Sequence, residues 1–200
     1  EARGIPPLLE LLDSQSAKAR ENAVGAITEL CRKSKENQAA VAGAGGIPKL
    51  VNVLLGFSGA KIKDVSQVAL CTLAASAIKE LSKGNKRTQD AVAEDGAIPP
   101  LVLMLSAPNP EMQTEAAGAL ANLARNHVDN QLAIGRTGAL GPMCSIIREG
   151  SDEAKYRAAS AVWALASNNL SNKDTVAKLG GIDPLVGLLV TGSTEKSQQC

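Results

Sequence analysis

Leu8, Leu9, Leu11 and Leu12 open the chain with a tight set of apolar positions. The set returns as Leu50, Val51, Val53 and Leu54, as Leu101, Val102, Met104 and Leu105, and as Met143, Cys144, Ile146 and Ile147. This spacing predicts a helix buried on one broad face. A second set follows each of them: Ala23, Ala26, Ile27, Leu30; Ala74, Ala77, Ile78, Leu81; Ala116, Ala119, Leu120, Leu123; and Ala158, Ala161, Val162, Leu165. Its i, i+3, i+4, i+7 order predicts a longer helix with one buried stripe. Alanine in two of the four columns lets neighbouring helices approach closely.

The phrase Gly4-Ile5-Pro6-Pro7-Leu8 recurs as Gly46-Ile47-Pro48-Lys49-Leu50, Ala97-Ile98-Pro99-Pro100-Leu101, Ala139-Leu140-Gly141-Pro142-Met143 and Gly181-Ile182-Asp183-Pro184-Leu185. The steps are 42, 51, 42 and 42 residues, a period of 42 with one nine-residue insertion at about 56–64. A short first helix precedes each such pair, so the broad-faced helix is the second of its unit and the longer one the third. The first helix is expected to open at the cap-competent Asn37, Thr88, Asn130 or Asn172 and to carry Val41, Val92, Ile134 or Val176 inward. It ends at Gly45, Gly96, Gly138 or Gly180, which supply the freedom for a sharp turn.

Residues 1–200 therefore read as one array: a partial repeat 1–35, repeats of about 36–84, 87–126 and 129–168, and a shortened one at 171–200. No repeat can bury its stripes alone, so stacking against neighbours supplies the stability. The chain begins at a second helix and stops at Cys200, before the third helix of the last unit, and reads as part of a longer array. Leu185, Leu188 and Leu189 are then expected to lack a cover.

Composition narrows the function. Lys and Arg number 21 against 20 Asp and Glu, so the excess of cations that nucleic acid or an anionic membrane needs is missing. His127 is the single histidine, and Cys31, Cys71, Cys144 and Cys200 include no CxxC pair, so no metal-ligand set forms from sequence neighbours and no cofactor is expected. With no charged-then-apolar leader and no run of about 18 apolar residues, a soluble, reducing compartment is expected, the cytoplasm with the nucleus also open. Aromatic residues make up 2% of the chain, too few for broad base-stacking platforms.

Three helices in about 42 residues, the Gly-Gly/Ala-Ile-Pro turn and the phrase EAAGALANLA at Glu115–Ala124 resemble the armadillo repeat family, which includes importin-alpha and beta-catenin. HEAT-type helix pairs would not need a glycine column before every second helix. The resemblance implies an all-α, right-handed superhelical solenoid of three-helix repeats. It also implies a non-enzymatic scaffold that binds an extended segment of a partner protein in a groove lined by the third helices.

With columns 23, 26, 27 and 30 inward, the opposite face of the third helix is the candidate groove. It carries Asn22, Glu29 and Arg32; Lys79, Glu80 and Lys83; Glu115, Asn122 and Arg125; and Arg157, Ser160 and Trp163. Importin-type grooves hold a ladder of Trp and Asn four residues apart. The matching pairs here are Gly25/Glu29, Ser76/Glu80, Gly118/Asn122 and Ser160/Ala164, so Asn122 alone corresponds, and the resemblance implies that its amide bonds a peptide backbone. The strip mixes both signs and suits a partner of mixed charge. Trp163 stands among small neighbours, either as an anchor for a partner or as packing against the next repeat. Two other roles fit the same resemblance: a structural component of a larger assembly, such as a cytoskeletal one, working through its outer faces, and a nuclear transport adaptor.

The remaining features carry less. Gly56-Phe57-Ser58-Gly59-Ala60-Lys61 lacks the Gly-Lys-Ser/Thr ending of a phosphate loop and follows a helix. Ile62, Val65, Ala69 and Leu73 continue a helical stripe, so the insertion is expected to lengthen a third helix and lift a Phe57-bearing loop above the rim. Gly43-Ala44-Gly45-Gly46 is a turn between helices rather than a dinucleotide fingerprint. Cys31 and Cys144 read as inert core thiols, and His127 as a surface loop residue aligned with Ser34 and Asn85. Asn169-Leu170-Ser171 would accept a glycan only in a secreted chain.

Overall fold

The computed structural model describes residues 4–57, 59 and 64–191. Among them thirteen α-helices follow one another, with one 3-10 turn at Leu11–Asp13 and no strand. α1 (Ile5–Glu10) and α2 (Ala17–Cys31) come first. Three triplets follow: α3 (Lys35–Gly43), α4 (Gly46–Leu55) and α5 (Val65–Leu81); α6 (Lys86–Glu94), α7 (Ile98–Met104) and α8 (Pro110–Ala124); α9 (Val128–Arg136), α10 (Leu140–Glu149) and α11 (Asp152–Ala166). α12 (Leu170–Lys178) and α13 (Ile182–Thr191) close the array. The third helices α2, α5, α8 and α11 lie side by side in chain order, and α4, α7 and α10 each back their own third helix. The fold is an all-α, right-handed superhelical solenoid.

Backbone handedness sets the turns. Gly45, Gly96, Gly138 and Gly180 have φ of 77°, 85°, 77° and 63°, the left-handed region that stops the first helix and aims the second. A Cβ added at any of the four would meet nothing within 4 Å, so glycine is demanded by backbone conformation alone. A second left-handed column, Lys33, Gly84, Asn126 and Asn168, joins each third helix to the next first helix.

The first helices start earlier than the sequence suggested. Ser34, Asn85, His127 and Asn169 are the N-caps, and their side chains accept the backbone N–H of Asn37, Thr88, Asn130 and Asn172. Those four residues sit three places inside and reach backwards instead. Their side chains donate to the carbonyls of Leu30, Leu81, Leu123 and Leu165 at 2.7, 2.6, 3.0 and 2.9 Å, satisfying the last turn of the preceding third helix. His127 is thus no surface loop residue. It is 3% exposed; Nδ1 accepts from Asn130 N–H at 3.3 Å, which puts the neutral ring's proton on Nε2, 2.6 Å from Asp90 Oδ1.

A column of buried glutamines ties successive repeats together. Gln38 Nε2 donates to the carbonyls of Cys31 and Glu80 at 3.2 and 2.8 Å, and Gln131 Nε2 to those of Ala124 and Ala164 at 3.1 and 2.9 Å. Gln89 Nε2 reaches the Asn122 carbonyl at 2.6 Å. In Gln38 and Gln131 one side-chain amide thereby serves carbonyls at the ends of two third helices, which a purely apolar contact could not do.

The insertion lengthens its third helix, since α5 has 17 residues where α2, α8 and α11 have 15. Phe57, however, is not lifted above the rim: it is 5% exposed and joins the core, because its ring gains more from burial than a loop position would give. Ser58, Ala60, Lys61, Ile62 and Cys200 lie outside the described residues. Leu30 also departs from its column. Leu81, Leu123 and Leu165 are fully buried, but Leu30 is 38% exposed, since α2 is the outermost third helix and no preceding helix among the described residues covers it.

Candidate functional site

The inner row of third helices brings the candidate residues onto one continuous face, and most of their charges are already paired. At the α2 end, Arg32 lies 2.9 Å from Glu29, both well exposed, with Asn22 exposed beside them. Between α5 and α8, Lys79 Nζ meets Glu115 Oε2 at 2.5 Å in a pair whose side chains are largely covered. Gly118 makes that reach possible: a Cβ there would stand 2.9 Å from Lys79 Cδ and 3.7 Å from Arg157 Cδ. On α11, Arg157 is held by Glu153 at 2.9 Å and lies over the ring of Tyr156.

Asn122 turns part of its amide inward. Its Nδ2 donates to the Lys79 carbonyl at 2.8 Å, and its own backbone carbonyl accepts from Gln89, so the amide that the resemblance assigns to a peptide backbone already joins α8 to α5. Glu80 is half-buried, and its carbonyl is taken by Gln38, while Lys83 is exposed.

Trp163 and Arg125 stand apart from this pairing. The indole is 57% exposed on α11, the last third helix among the described residues. Arg125 Cζ lies 5.3 Å from the centre of that ring, and Arg125 NH2 donates to Ser160 Oγ at 3.3 Å. A cation over an aromatic face fixes the orientation of both side chains. It leaves an apolar surface and several guanidinium N–H groups exposed.

Elsewhere the chemistry is quiet. Burial pushes the Cys31 thiol up to about 12 and the Cys71 thiol to about 11, and raises that of Cys144, so the reactive thiolate is disfavoured at each. Among the described residues no group of three or more His, Cys, Asp or Glu side chains could hold a metal ion. Among the same residues no single helix is long and apolar enough to cross a membrane. Sequence reasoning missed His127 and the glutamine column, although Ser34, Asn85, His127 and Asn169, like Gln38, Gln89 and Gln131, recur in step with the repeat.

Comparison with known proteins bears on this geometry. The armadillo/beta-catenin-like repeat model matches residues 1–32 and 85–125. No curated protein matches the chain. The crystal structure of an engineered protein is 28% identical with a TM-score of 0.87, over 98% of this chain and 77% of that one. A designed armadillo repeat protein is 25% identical with a TM-score of 0.84, over 98% and 78%. A computationally designed armadillo repeat protein made for modular peptide recognition is 25% identical with a TM-score of 0.81, over 96% and 77%. The residues that the family model matches are armadillo repeats, and the fold of the described residues is that of designed armadillo repeat proteins.

Proposed function

We propose that the chain is a non-catalytic protein-interaction scaffold, working in the cytoplasm or nucleus, that holds an extended segment of a partner protein along the face of α2, α5, α8 and α11. The observation that carries this reading is the exposed Trp163 under Arg125, a large apolar surface in a row of helices whose other charges are mostly satisfied. A structural neighbour designed for modular peptide recognition lends support to the same use of the fold. The pairing of Lys79 with Glu115 and of Arg157 with Glu153 lowers the net field of the groove, which favours a segment of mixed charge over a polyacidic one.

Selection of random peptides displayed on phage tests the reading. Peptides enriched on the native chain should be lost when Trp163→Ala and Arg125→Glu are combined in a variant of unchanged helicity. Peptides that bind both forms equally would move the interface off the groove, to the outer faces that a structural-assembly role would use. Val128 and Leu170, exposed at the starts of α9 and α12, are the apolar residues to substitute in that case.

A further inference from the structure

The edge where the third helices begin carries clefts unrelated to the groove. Between the first two repeats, Leu12, Asp13, Arg20, Lys49, Asn52 and Val53 line a cleft of about 220 Å3. The residues 93 positions later, Leu105, Ser106, Gln113, Pro142, Ser145 and Ile146, line a cleft of about 600 Å3. The fold thus builds the same hollow twice. At the corresponding place between them the insertion intervenes: Phe57 is buried, and a Cβ on Gly59 would lie 3.7 Å from Leu103, the residue equivalent to Asn52.

The two open clefts differ in one decisive side chain. Gln113 closes on its own loop, donating from Nε2 to the Ala107 carbonyl at 2.9 Å. Arg20 stands in its place in the smaller cleft and finds no acceptor among the described residues: its Nε is buried without a partner, and none of their groups takes its terminal N–H groups. Lys49 pairs with Asp13 at the same cleft. Among the residues lining the cleft, two cations against one carboxylate leave a single uncompensated positive charge, held on the half-buried Arg20. An unpaired charge removed from water is costly unless something neutralises it.

We propose that this cleft is a carboxylate-binding site. One negative charge balances it; a carboxylate matches the guanidinium edge in two parallel hydrogen bonds, and the Asn52 amide offers a further donor. A phosphate dianion would overshoot the charge and face Asp13. The carboxylate is either that of a free small acid or that of an Asp or Glu side chain on a partner chain.

Side-chain NMR of the arginine Nε–H groups tests this, with sodium acetate, a blocked Ala-Glu-Ala tripeptide and sodium phosphate titrated at constant ionic strength. The Arg20 signal should shift saturably with acetate and with the tripeptide, while the Gln113 amide signals stay still. Tripeptide binding about tenfold tighter than acetate would identify a partner side chain as the source, and similar affinity a free acid. Arg20→Gln, which copies the larger cleft, should weaken binding about tenfold or more, read from Asn52 amide shifts in a chain of unchanged helicity. Shifts that never saturate, that persist in Arg20→Gln, or that favour phosphate would overturn the proposal.

Discussion

Arg125 lies with its Cζ 5.3 Å from the ring centre of Trp163, so a cation that no carboxylate among the described residues pairs and the chain's one indole form a single feature. Both side chains are exposed, and their attraction should contribute less than about 1 kcal/mol to stability. Arg125→Ala is therefore expected to change the emission of Trp163 while leaving the urea midpoint, followed by circular dichroism, nearly unchanged. A large loss of stability would mean that the pair holds repeats together rather than awaiting a partner.

Gln131 is the opposite case. It is buried and bonds the ends of α8 and α11, so Gln131→Leu takes the side-chain donor from the Ala164 carbonyl and leaves the Ala124 carbonyl with only the backbone N–H of His127. The expected cost is about 2–3 kcal/mol by urea denaturation. A cost below about 0.5 kcal/mol would show the glutamine column to be incidental.

Backbone handedness gives a pair of opposite outcomes. Gly138→Ala meets no neighbour and should still cost about 1–2 kcal/mol, because φ is 77°. Lys33 already occupies the left-handed region at φ 59°, where two of the equivalent residues are Asn and one is Gly. Lys33→Gly should gain about 0.5–1 kcal/mol in thermal unfolding.

Much of this architecture was legible in the sequence, because the features that build it repeat. The glycines at 45, 96, 138 and 180 and the alanine columns of the third helices mark the turns and close contacts directly. What escaped was polar and buried. A histidine in a loop looks like surface until the N-cap it supplies is seen, and Asn130 looks like the cap itself although it sits three residues inside the helix. Phe57 misled for a related reason: its loop is exposed by sequence position, while its ring has a hydrophobic place to go. Pairings across repeats, such as Lys79 with Glu115, depend on the stacking distance and on the missing side chain of Gly118, neither of which a column of letters displays.

The buried thiols carry a pH dependence. Cys31 and Cys71 move from the ordinary 9.0 up to about 12 and about 11 in the folded chain, so above pH 9 the unfolded state sheds protons that the native state keeps. Their contribution is fully present below pH 9 and falls away as pH rises towards 11–12. Brief alkylation at pH 8 should therefore leave Cys31, Cys71 and Cys144 unmodified until denaturant is added, as peptide mapping would read. Rapid labelling in the native state would contradict the burial that raises them.

The most direct measurement of groove binding uses the chain's single tryptophan. A peptide selected on the native chain should shift the emission of Trp163 to the blue in a saturable way, with the same dissociation constant as calorimetry gives. Calorimetric binding with no change at Trp163, retained by Trp163→Ala, would place the partner elsewhere and contradict the account.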